Sequence, residues 1–299
     1  MINKMVLWTV QFGLNYGINN VFGKPEINQI YSILDSAISS WIQLFDTAPL
    51  YGNSEEIIWS YLKDRWSFED VRIISKFPWL WKLDSSNKED IASEIRKSIT
   101  YSKNLIWVTS FDWYLLHKAN EFYNRDIIES LIGMKNEWVI QNIGVSIYTP
   151  EDALNVSLDQ NMDYIQIPFN ALDQRLKNTD FFENCKKNKI KVFARSIFLQ
   201  WLLLMEKNKI PPHLKEVSSF LEDFDSIISK SWLTRQEAAM QYVLQNNDID
   251  YLVFGIDNIA QLNENIAIAK RKIDFSQEIR EIELRLKNID ERILSPNLW

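Results

Sequence analysis

The chain has 299 residues, of which 46% are hydrophobic and 24% are charged; these are values of a globular protein and exclude a disordered or fibrous chain. Its net charge of −7 gives it no general attraction to nucleic acid or to anionic membrane surfaces. Its one cysteine, Cys185, excludes an internal disulfide and a multi-thiolate zinc site, and we expect no metal.

Two further features of the sequence bear on where the protein works. The longest near-apolar run, Ile197 to Met205, is too short to span a bilayer. The first residues, Met1 to Met5, lack the pattern of a secretory signal. We therefore expect a soluble cytoplasmic protein with a small-molecule substrate and with neither a nucleic-acid nor a membrane partner. The sequence is silent on the oligomeric state.

Short apolar, β-branched runs alternate with longer segments whose apolar residues are spaced by three and four. The runs, each a predicted strand, are Met5–Val10, Ile42–Phe45, Val71–Ser75, Phe111–Leu116, Val139–Val145, Tyr164–Ile167, Ile190–Ala194 and Tyr251–Phe254. The segments between them, each a predicted helix, are Ile27–Ser39, Ser54–Lys63, Lys88–Tyr101, Arg125–Lys135, Thr179–Lys187, Thr234–Gln245 and Ile259–Ala269. This alternation predicts an α/β protein, a single (β/α)8 TIM barrel domain over residues 1–299.

Two segments exceed what a minimal barrel needs. About 56 residues separate the seventh and eighth predicted strands, which leaves room for an insertion over residues 197–232. A long insertion after a barrel strand usually lies over the active-site mouth, and we expect this one to do so. The tail, residues 275–294, predicts one amphipathic helix that packs outside the barrel.

Four residues with complementary chemistry stand at the ends of neighbouring predicted strands. Asp46 ends the second strand and Tyr51 follows it, Lys76 follows the third strand, and His117 follows the fourth. In such barrels the chemistry lies at the carboxyl ends of the strands. An ammonium group beside a phenol lowers the phenol's pKa, so Lys76 would make Tyr51 a better acid. Asp46 would hold Lys76, and His117 would orient a substrate oxygen. The partner of a proton donor would be a hydride donor, which a nicotinamide cofactor supplies.

In order along the chain, a set of short motifs resembles the aldo-keto reductase family. The motifs are Phe45-Asp46-Thr47-Ala48 with Tyr51-Gly52, Ser75-Lys76, Leu116-His117, Ile143-Gly144-Val145-Ser146, Gln166 with Asn170, and Gln261 with Glu264-Asn265. The resemblance implies an NAD(P)H-dependent reduction of an aldehyde or ketone to an alcohol. It places the family's catalytic tetrad on Asp46, Tyr51, Lys76 and His117, with Tyr51 as the general acid.

The same resemblance implies a set of cofactor-binding positions. Ser146 and Gln166 match residues that hold the nicotinamide amide, and Ser196 matches one beside the pyrophosphate. The full set is Thr9, Ser146, Gln166, Arg195, Ser196, Gly255, Asp257, Gln261, Glu264 and Asn265. Gln261, Glu264 and Asn265 match the adenine end of the site.

Three positions depart from the family pattern. Ile147 stands where asparagine is frequent, and Arg195 stands where the best-known members have a ring-stacking tyrosine. Asp257 stands where a small hydroxyl or a basic residue would favour NADPH, and its charge would repel the 2′-phosphate. NADP is the cofactor that the resemblance implies, and NAD remains open. A barrel that binds the cofactor as a sensor or regulatory subunit is the alternative to an enzyme.

Glycine is scarce in this chain and tryptophan is abundant. There are 7 glycines, where average usage would give about 21, and 12 tryptophans. At eight of these positions glycine would be ordinary in the family: Trp8, Trp41, Trp59, Trp107, Trp113, Trp138, Trp201 and Trp232.

Two explanations of the eight tryptophans remain open. The codon UGA is read as glycine in some bacterial lineages and as tryptophan in others, so the tryptophans would stand for glycine codons. Alternatively, the tryptophans are genuine and are accommodated by local repacking. The first explanation predicts that several of them have positive φ or a side chain that points into solvent.

Overall fold

The eight parallel strands of the protein close into a barrel in which each strand pairs with the next and the last pairs with the first. The computed structural model describes residues 1–17, 20, 23–65, 71–77, 88–106 and 110–299. The strands are β1 Met5–Trp8, β2 Leu44–Asp46, β3 Arg72–Lys76, β4 Phe111–Leu116, β5 Ile140–Ser146, β6 Tyr164–Pro168, β7 Lys191–Arg195 and β8 Tyr251–Gly255. The predicted (β/α)8 barrel is therefore confirmed.

Helices follow the strands and form the outer layer. They are α1 Val10–Gly13, α2 Ile27–Ser39, α3 Ser54–Arg65, α4 Lys88–Ile106, α5 Ala119–Phe122, α6 Arg125–Asn136, α7 Pro150–Ser157, α8 Phe181–Asn188, α9 Val217–Ile228, α10 Arg235–Leu244, α11 Ile259–Lys270, α12 Ser276–Arg285 and α13 Glu291–Leu294. Among the helices in the described part of the chain, none combines the length and apolar character that crossing a membrane requires.

Local sequence signals account for where these helices begin. The Thr149 hydroxyl accepts a hydrogen bond from the Asp152 amide, and Pro150 occupies the first turn of α7. This is the expected chemistry of a helix start, because proline loses no needed amide there. In α2, the residues buried against the barrel are spaced by three and four, as an amphipathic helix requires: Ile30, Ile33, Leu34 and Ala37.

Two layers of apolar side chains hold the barrel together. The interior is filled by Val6, Leu44, Ile74, Trp113, Leu115, Tyr164, Phe193 and Val253. A larger cluster lies between the outer faces of the strands and the helices. Because the interior is packed with side chains, a ligand has room only at an end of the barrel.

Two expectations about the longer segments are wrong in part. Within residues 197–232, only the beginning lines the mouth, through Ile197, Phe198, Gln200 and Trp201, whereas α9 packs against α10 and α12. The tail is two helices, α12 and α13, instead of one helix over residues 275–294. Asn288, between them, has φ 60°, a left-handed conformation that a continuous helix does not allow.

Four of the eight tryptophans at glycine-type positions have left-handed backbones. The φ values are 68° for Trp41, 60° for Trp138, 73° for Trp201 and 55° for Trp232. Three of these side chains lie in solvent, with exposed fractions of 73% for Trp41, 77% for Trp138 and 93% for Trp232. The prediction of positive φ or solvent-exposed side chains is confirmed at these positions.

The hydrogen bonds around two of these tryptophans define a helix ending that normally requires glycine. After α2, the amide of Trp41 donates to Ile38 O and that of Ile42 donates to Ala37 O, both at 2.9 Å. After α6, Trp138 bonds to Lys135 O at 3.0 Å and Val139 bonds to Met134 O at 2.9 Å. This is the Schellman pattern, whose left-handed residue is usually glycine because it has no Cβ to clash.

The other tryptophans of the set differ. Trp8, Trp59 and Trp113 are not among the residues with positive φ. Trp113 lies in the barrel interior, where its ring packs edge-on against Tyr164 at 4.9 Å and against Phe193 at 5.4 Å. Trp107 lies outside the described residues. Trp113 therefore has neither a positive φ nor a solvent-exposed side chain, the two features expected where tryptophan stands for glycine.

Candidate active site

The alternation of side chains along the strands places three members of the tetrad, together with Gln166, at one mouth of the barrel. Successive residues of a strand face opposite sides, so a residue two positions after an interior residue also faces inward. Asp46, Lys76, His117 and Gln166 each stand two positions after an interior residue, namely Leu44, Ile74, Leu115 and Tyr164. Because all eight strands are parallel, these four side chains meet at the same end of the barrel.

A buried ion pair between Lys76 and Asp46 forms the floor of this site. Both side chains are almost fully inaccessible to solvent, and Lys76 Nζ donates to Asp46 Oδ1. Lys76 Nζ also donates to Thr47 O at 3.0 Å, and Gln166 Nε2 donates to Asp46 Oδ2 at 2.8 Å. Burial lowers the pKa of Lys76, and the charge of Asp46 opposes that effect. Asp46 therefore keeps an ammonium group charged in a place where burial alone would favour its neutral form.

Tyr51 lies beside this pair. Lys76 Nζ is 4.7 Å from the centre of the Tyr51 ring, and the His117 ring lies edge-on to it at 6.1 Å. Burial, followed by the charge of Asp46, raises the pKa of Tyr51 well above its usual value. We expected Lys76 to lower this pKa; in the structure burial, the largest cause, and the charge of Asp46 raise it instead. The phenol of Tyr51 therefore carries its proton.

His117 completes the group as a neutral imidazole. Burial, then the positive charges of Lys76 and Arg195, lowers its pKa to about 3. Its Nδ1 is buried and has no hydrogen-bond partner in the described part of the chain. A neutral imidazole keeps one N–H, which can donate a hydrogen bond to a ligand oxygen.

We expect the His117 ring to stay neutral from pH 8 down to about pH 5, because its pKa of about 3 lies below that range. Ring 15N chemical shifts measured by NMR across this range should remain those of the neutral form, with the signal assigned from a His117→Gln variant. A protonation step near pH 6.5, the ordinary value for histidine, would contradict this account of the site.

The sequence analysis did not identify a second carboxylate near Lys76, that of Glu55. Glu55, buried at the start of α3, accepts hydrogen bonds from Ser75 Oγ at 2.7 Å and from Ser102 Oγ at 3.0 Å. Burial raises its pKa, and these hydroxyl groups oppose that effect. Ser75 precedes Lys76, so Glu55 fixes the strand that carries the ammonium group. The sequence showed Glu55 only as one of several acids in the first turn of a helix.

Above the tetrad opens a cavity of about 380 Å³. Tyr51, Lys76 and His117 line it on one side, and the predicted cofactor residues Ser146, Gln166, Arg195, Ser196 and Gly255 also line it. The sequence argument missed several further lining residues as part of the site, among them Gln11, Tyr16, Gly17 and Tyr148. Their types carry no chemical signal, and only the closed barrel brings them together.

The polar groups around the cavity suit a nicotinamide cofactor. Ser146, the last residue of β5, pairs with Gln166 in β6, and the two offer a hydroxyl and an amide to the cavity. The buried Arg195 Nε and Gln11 Oε1 have no partner in the described part of the chain. At Gly255 an added Cβ would lie 2.8 Å from Gln11 Nε2, so a side chain there would displace the flexible end of Gln11.

The remaining predicted cofactor residues lie away from this cavity. Thr9 is fully buried and its hydroxyl donates to Asp46 O at 3.0 Å, so it supports the strand end instead of lining the cavity. Asp257, Gln261, Glu264 and Asn265 lie together at and just before the first turns of α11. Asn265 is buried and its side chain accepts a hydrogen bond from Gln236, whereas Glu264 is exposed.

The chain is similar in sequence to several oxidoreductases. The chain is 26% identical to an uncharacterised oxidoreductase, YqkF, of Bacillus subtilis, over 88% of this chain and 89% of that protein. It is 24% identical to an NADH-specific methylglyoxal reductase of Escherichia coli, over 76% and 78% of the two chains. It is also 24% identical to a D-threo-aldose 1-dehydrogenase of Pseudomonas, over 91% and 94%.

Solved structures of aldo-keto reductases have a similar fold. The holo form of an aldo-keto reductase of Bacillus halodurans superposes with a TM-score of 0.75 at 19% identity, covering 94% of this chain and 91% of that one. The model of the Aldo/keto reductase family matches residues 5–284, a span that contains all eight strands and every residue of the tetrad. The chain therefore belongs to the aldo/keto reductase family.

Proposed function

We propose that the protein reduces an aldehyde or ketone to an alcohol, with a hydride from a nicotinamide cofactor and a proton from Tyr51. One observation carries this proposal: the phenol, the ammonium and the imidazole of Tyr51, Lys76 and His117 converge on one cavity. Each group alone has ordinary structural roles, whereas the three together provide an acid, a positive charge and a hydrogen-bonding group for one carbonyl.

Each of the four residues has its own role in the proposed reduction. His117 positions the substrate's carbonyl oxygen, and its low pKa keeps the ring neutral. Tyr51 gives its proton to that oxygen as negative charge develops on it. Lys76, whose Nζ faces the Tyr51 ring, stabilises the phenolate that remains, and Asp46 keeps Lys76 charged. When bound, the cofactor supplies the hydride to the carbonyl carbon.

The names of the relatives support a small polar carbonyl as the substrate class. Two of them act on methylglyoxal and on aldoses by name. The cavity of about 380 Å³ also has to hold the nicotinamide, so the space left for substrate is small. We propose aldoses and short oxoaldehydes as the first compounds to test.

For the cofactor, we propose NADH over the NADPH that the family resemblance implied. Asp257 is buried, its Oδ1 has no partner in the described part of the chain, and burial raises its pKa. The stretch 255–265, which contains the residues matched to the adenine end, has two acids and neither lysine nor arginine. A 2′-phosphate would meet an acid there and no cation from that stretch, whereas a 2′-hydroxyl could donate to the acid.

Replacing Asp257 by lysine is expected to shift the ratio of NADPH affinity to NADH affinity towards NADPH by about tenfold or more, because a repelling charge becomes an attracting one. Dissociation constants from fluorescence titration check this. The matched control is Asp248→Lys, which changes an exposed acid before β8 and should leave the ratio as it was. Tighter binding of NADPH than NADH by the unaltered protein would overturn the proposed preference.

The consumption of reduced cofactor with a panel of aldehydes and ketones separates an enzyme from a sensor barrel. An enzyme oxidises NADH in step with carbonyl loss, and the alcohol accumulates. A sensor binds the cofactor with a measurable dissociation constant but does not turn it over with any member of the panel. The latter result would refute carbonyl reduction and favour the regulatory alternative.

A further inference from the structure

Arg195 introduces an uncompensated positive charge into the cavity. It is the last residue of β7 and lines the cavity with the tetrad. Its guanidinium lies over the Tyr148 ring, with 4.2 Å from Cζ to the ring centre. Its Nη2 donates to Ile147 O at 2.9 Å and its Nη1 contacts Ser196 Oγ at 3.2 Å. The arginine is therefore held in one orientation by neutral partners.

No acid neutralises this charge in the part of the chain that the structure describes. Arg195 makes no salt bridge there, and its buried Nε has no partner. The lining of the cavity includes no aspartate or glutamate. The other cation of the lining, Lys76, is paired with Asp46. An arginine remains protonated in proteins, so the cavity carries about one unbalanced positive charge.

The charge of Arg195 acts on residues of the proposed catalytic group. It contributes to lowering the pKa of both Lys76 and His117. The proposed function requires the nicotinamide ring to approach a carbonyl held by Tyr51 and His117 in the same cavity. The two strands before β7 carry Gln166 and Ser146, the polar groups suited to the nicotinamide amide. The ring would thus lie within the field of Arg195.

We infer that Arg195 makes the cofactor site discriminate between the two redox states of the nicotinamide. The oxidised ring carries a positive charge and the reduced ring is neutral, so an unbalanced guanidinium disfavours the oxidised form. The site should bind NADH more tightly than NAD⁺ and thereby favour reduction of the carbonyl over oxidation of the alcohol. This inference rests on the proposed function and adds a direction to it.

The test is a pair of dissociation constants, for NADH and for NAD⁺, measured by calorimetry on the full chain. The adenosine and pyrophosphate are common to both ligands, so the ratio of the constants isolates the ring charge. We expect NADH to bind about tenfold more tightly or better. Arg195→Met should bring the ratio close to one, and Arg195→Lys, which keeps the charge, should retain most of the preference.

The ionic-strength dependence of the unaltered protein gives a measurement that needs no variant. Raising the salt from about 0.05 to 0.5 M should reduce the preference for NADH, because screening weakens the repulsion. Equal affinity for the two forms in the unaltered protein, or an unchanged ratio in Arg195→Met, would overturn the inference while leaving carbonyl reduction intact. Failure to bind either form would overturn the proposed function itself.

Discussion

Replacing Tyr51 by phenylalanine is expected to lower kcat by about 10²–10⁴-fold, the usual contribution of general acid catalysis. The change removes only the hydroxyl that gives its proton to the carbonyl oxygen. The ring that faces Lys76 at 4.7 Å remains, as do the Ser146 and Gln166 side chains proposed for the nicotinamide. The dissociation constant for the cofactor should therefore change little. Steady-state rates and cofactor fluorescence titration measure the two quantities separately.

A remote tyrosine provides the control for this change. Tyr31, on α2, donates to Asp64 Oδ2 at 3.2 Å, away from the cavity. Tyr31→Phe removes a hydroxyl of the same kind and should keep kcat within about threefold of the original. Turnover close to the unaltered level in Tyr51→Phe would exclude Tyr51 as the acid and leave the burial of Lys76 and Asp46 without a catalytic explanation.

Restoring glycine at Trp41, Trp138, Trp201 and Trp232 is expected to stabilise the protein. A left-handed backbone costs a bulky residue roughly 1–3 kcal/mol, and glycine instead loses about 0.5–1 kcal/mol through its greater freedom in the unfolded chain. The difference is a net gain of about 0–2.5 kcal/mol at each position, and the midpoint of this range gives about 5 kcal/mol for the four positions together. The melting temperature should rise by about 5 °C or more, and the yield of soluble protein should increase because three large rings leave the surface.

Trp113→Gly is the matched control for this prediction, since it is the same substitution at a position without strain. Trp113 packs against Tyr164 and Phe193 inside the barrel, so its removal should leave a cavity and cost about 3–5 kcal/mol. If all four restored positions lower the melting temperature as Trp113→Gly does, the tryptophans belong to the protein. Opposite signs would support glycine codons at the four positions with left-handed backbones and a genuine tryptophan at Trp113.

Trp201 is one of the four tryptophans with a left-handed backbone and also part of the candidate active site. It lines the cavity and its ring stacks against Phe198, with 5.6 Å between the ring centres. Trp8 lies on the other side, 5.9 Å from the Tyr51 ring. Glycine at these two positions would widen the cavity. The chain with glycine restored is therefore the form in which we expect the tighter binding of cofactor.

The sequence allowed the barrel and the clustering of Asp46, Tyr51, Lys76 and His117 to be predicted, because both depend on where strands end. Strand ends are marked by a change from apolar to polar residues, and parallel strands bring those ends together. The break after α12 was not predictable, because the left-handed Asn288 interrupts a pattern that is otherwise helical on both sides. The pKa of Tyr51 was not predictable either, since it depends on how deeply the ring is buried and on its nearness to Asp46.

Of the residues predicted to bind the cofactor, some lie where we expected and others do not. Ser146 and Arg195 end strands, Gln166 lies two residues before the end of β6, and the structure brings all three to the cavity as expected. Thr9 also follows a strand, but its side chain turns to the Asp46 carbonyl. A position relative to a strand end thus predicts nearness to the site, whereas the direction of a side chain depends on partners that are distant in sequence.

Isotope transfer tests the central claim most directly. NADH that carries deuterium at both C4 positions is incubated with the chain, or with its glycine-restored form, and each carbonyl of the panel, and the alcohol is analysed by mass spectrometry. The account predicts one deuterium on the former carbonyl carbon for each NADH oxidised, and strong loss of the product in Tyr51→Phe. Alcohol without the label, or no alcohol from any carbonyl in either form, would contradict hydride transfer at this site.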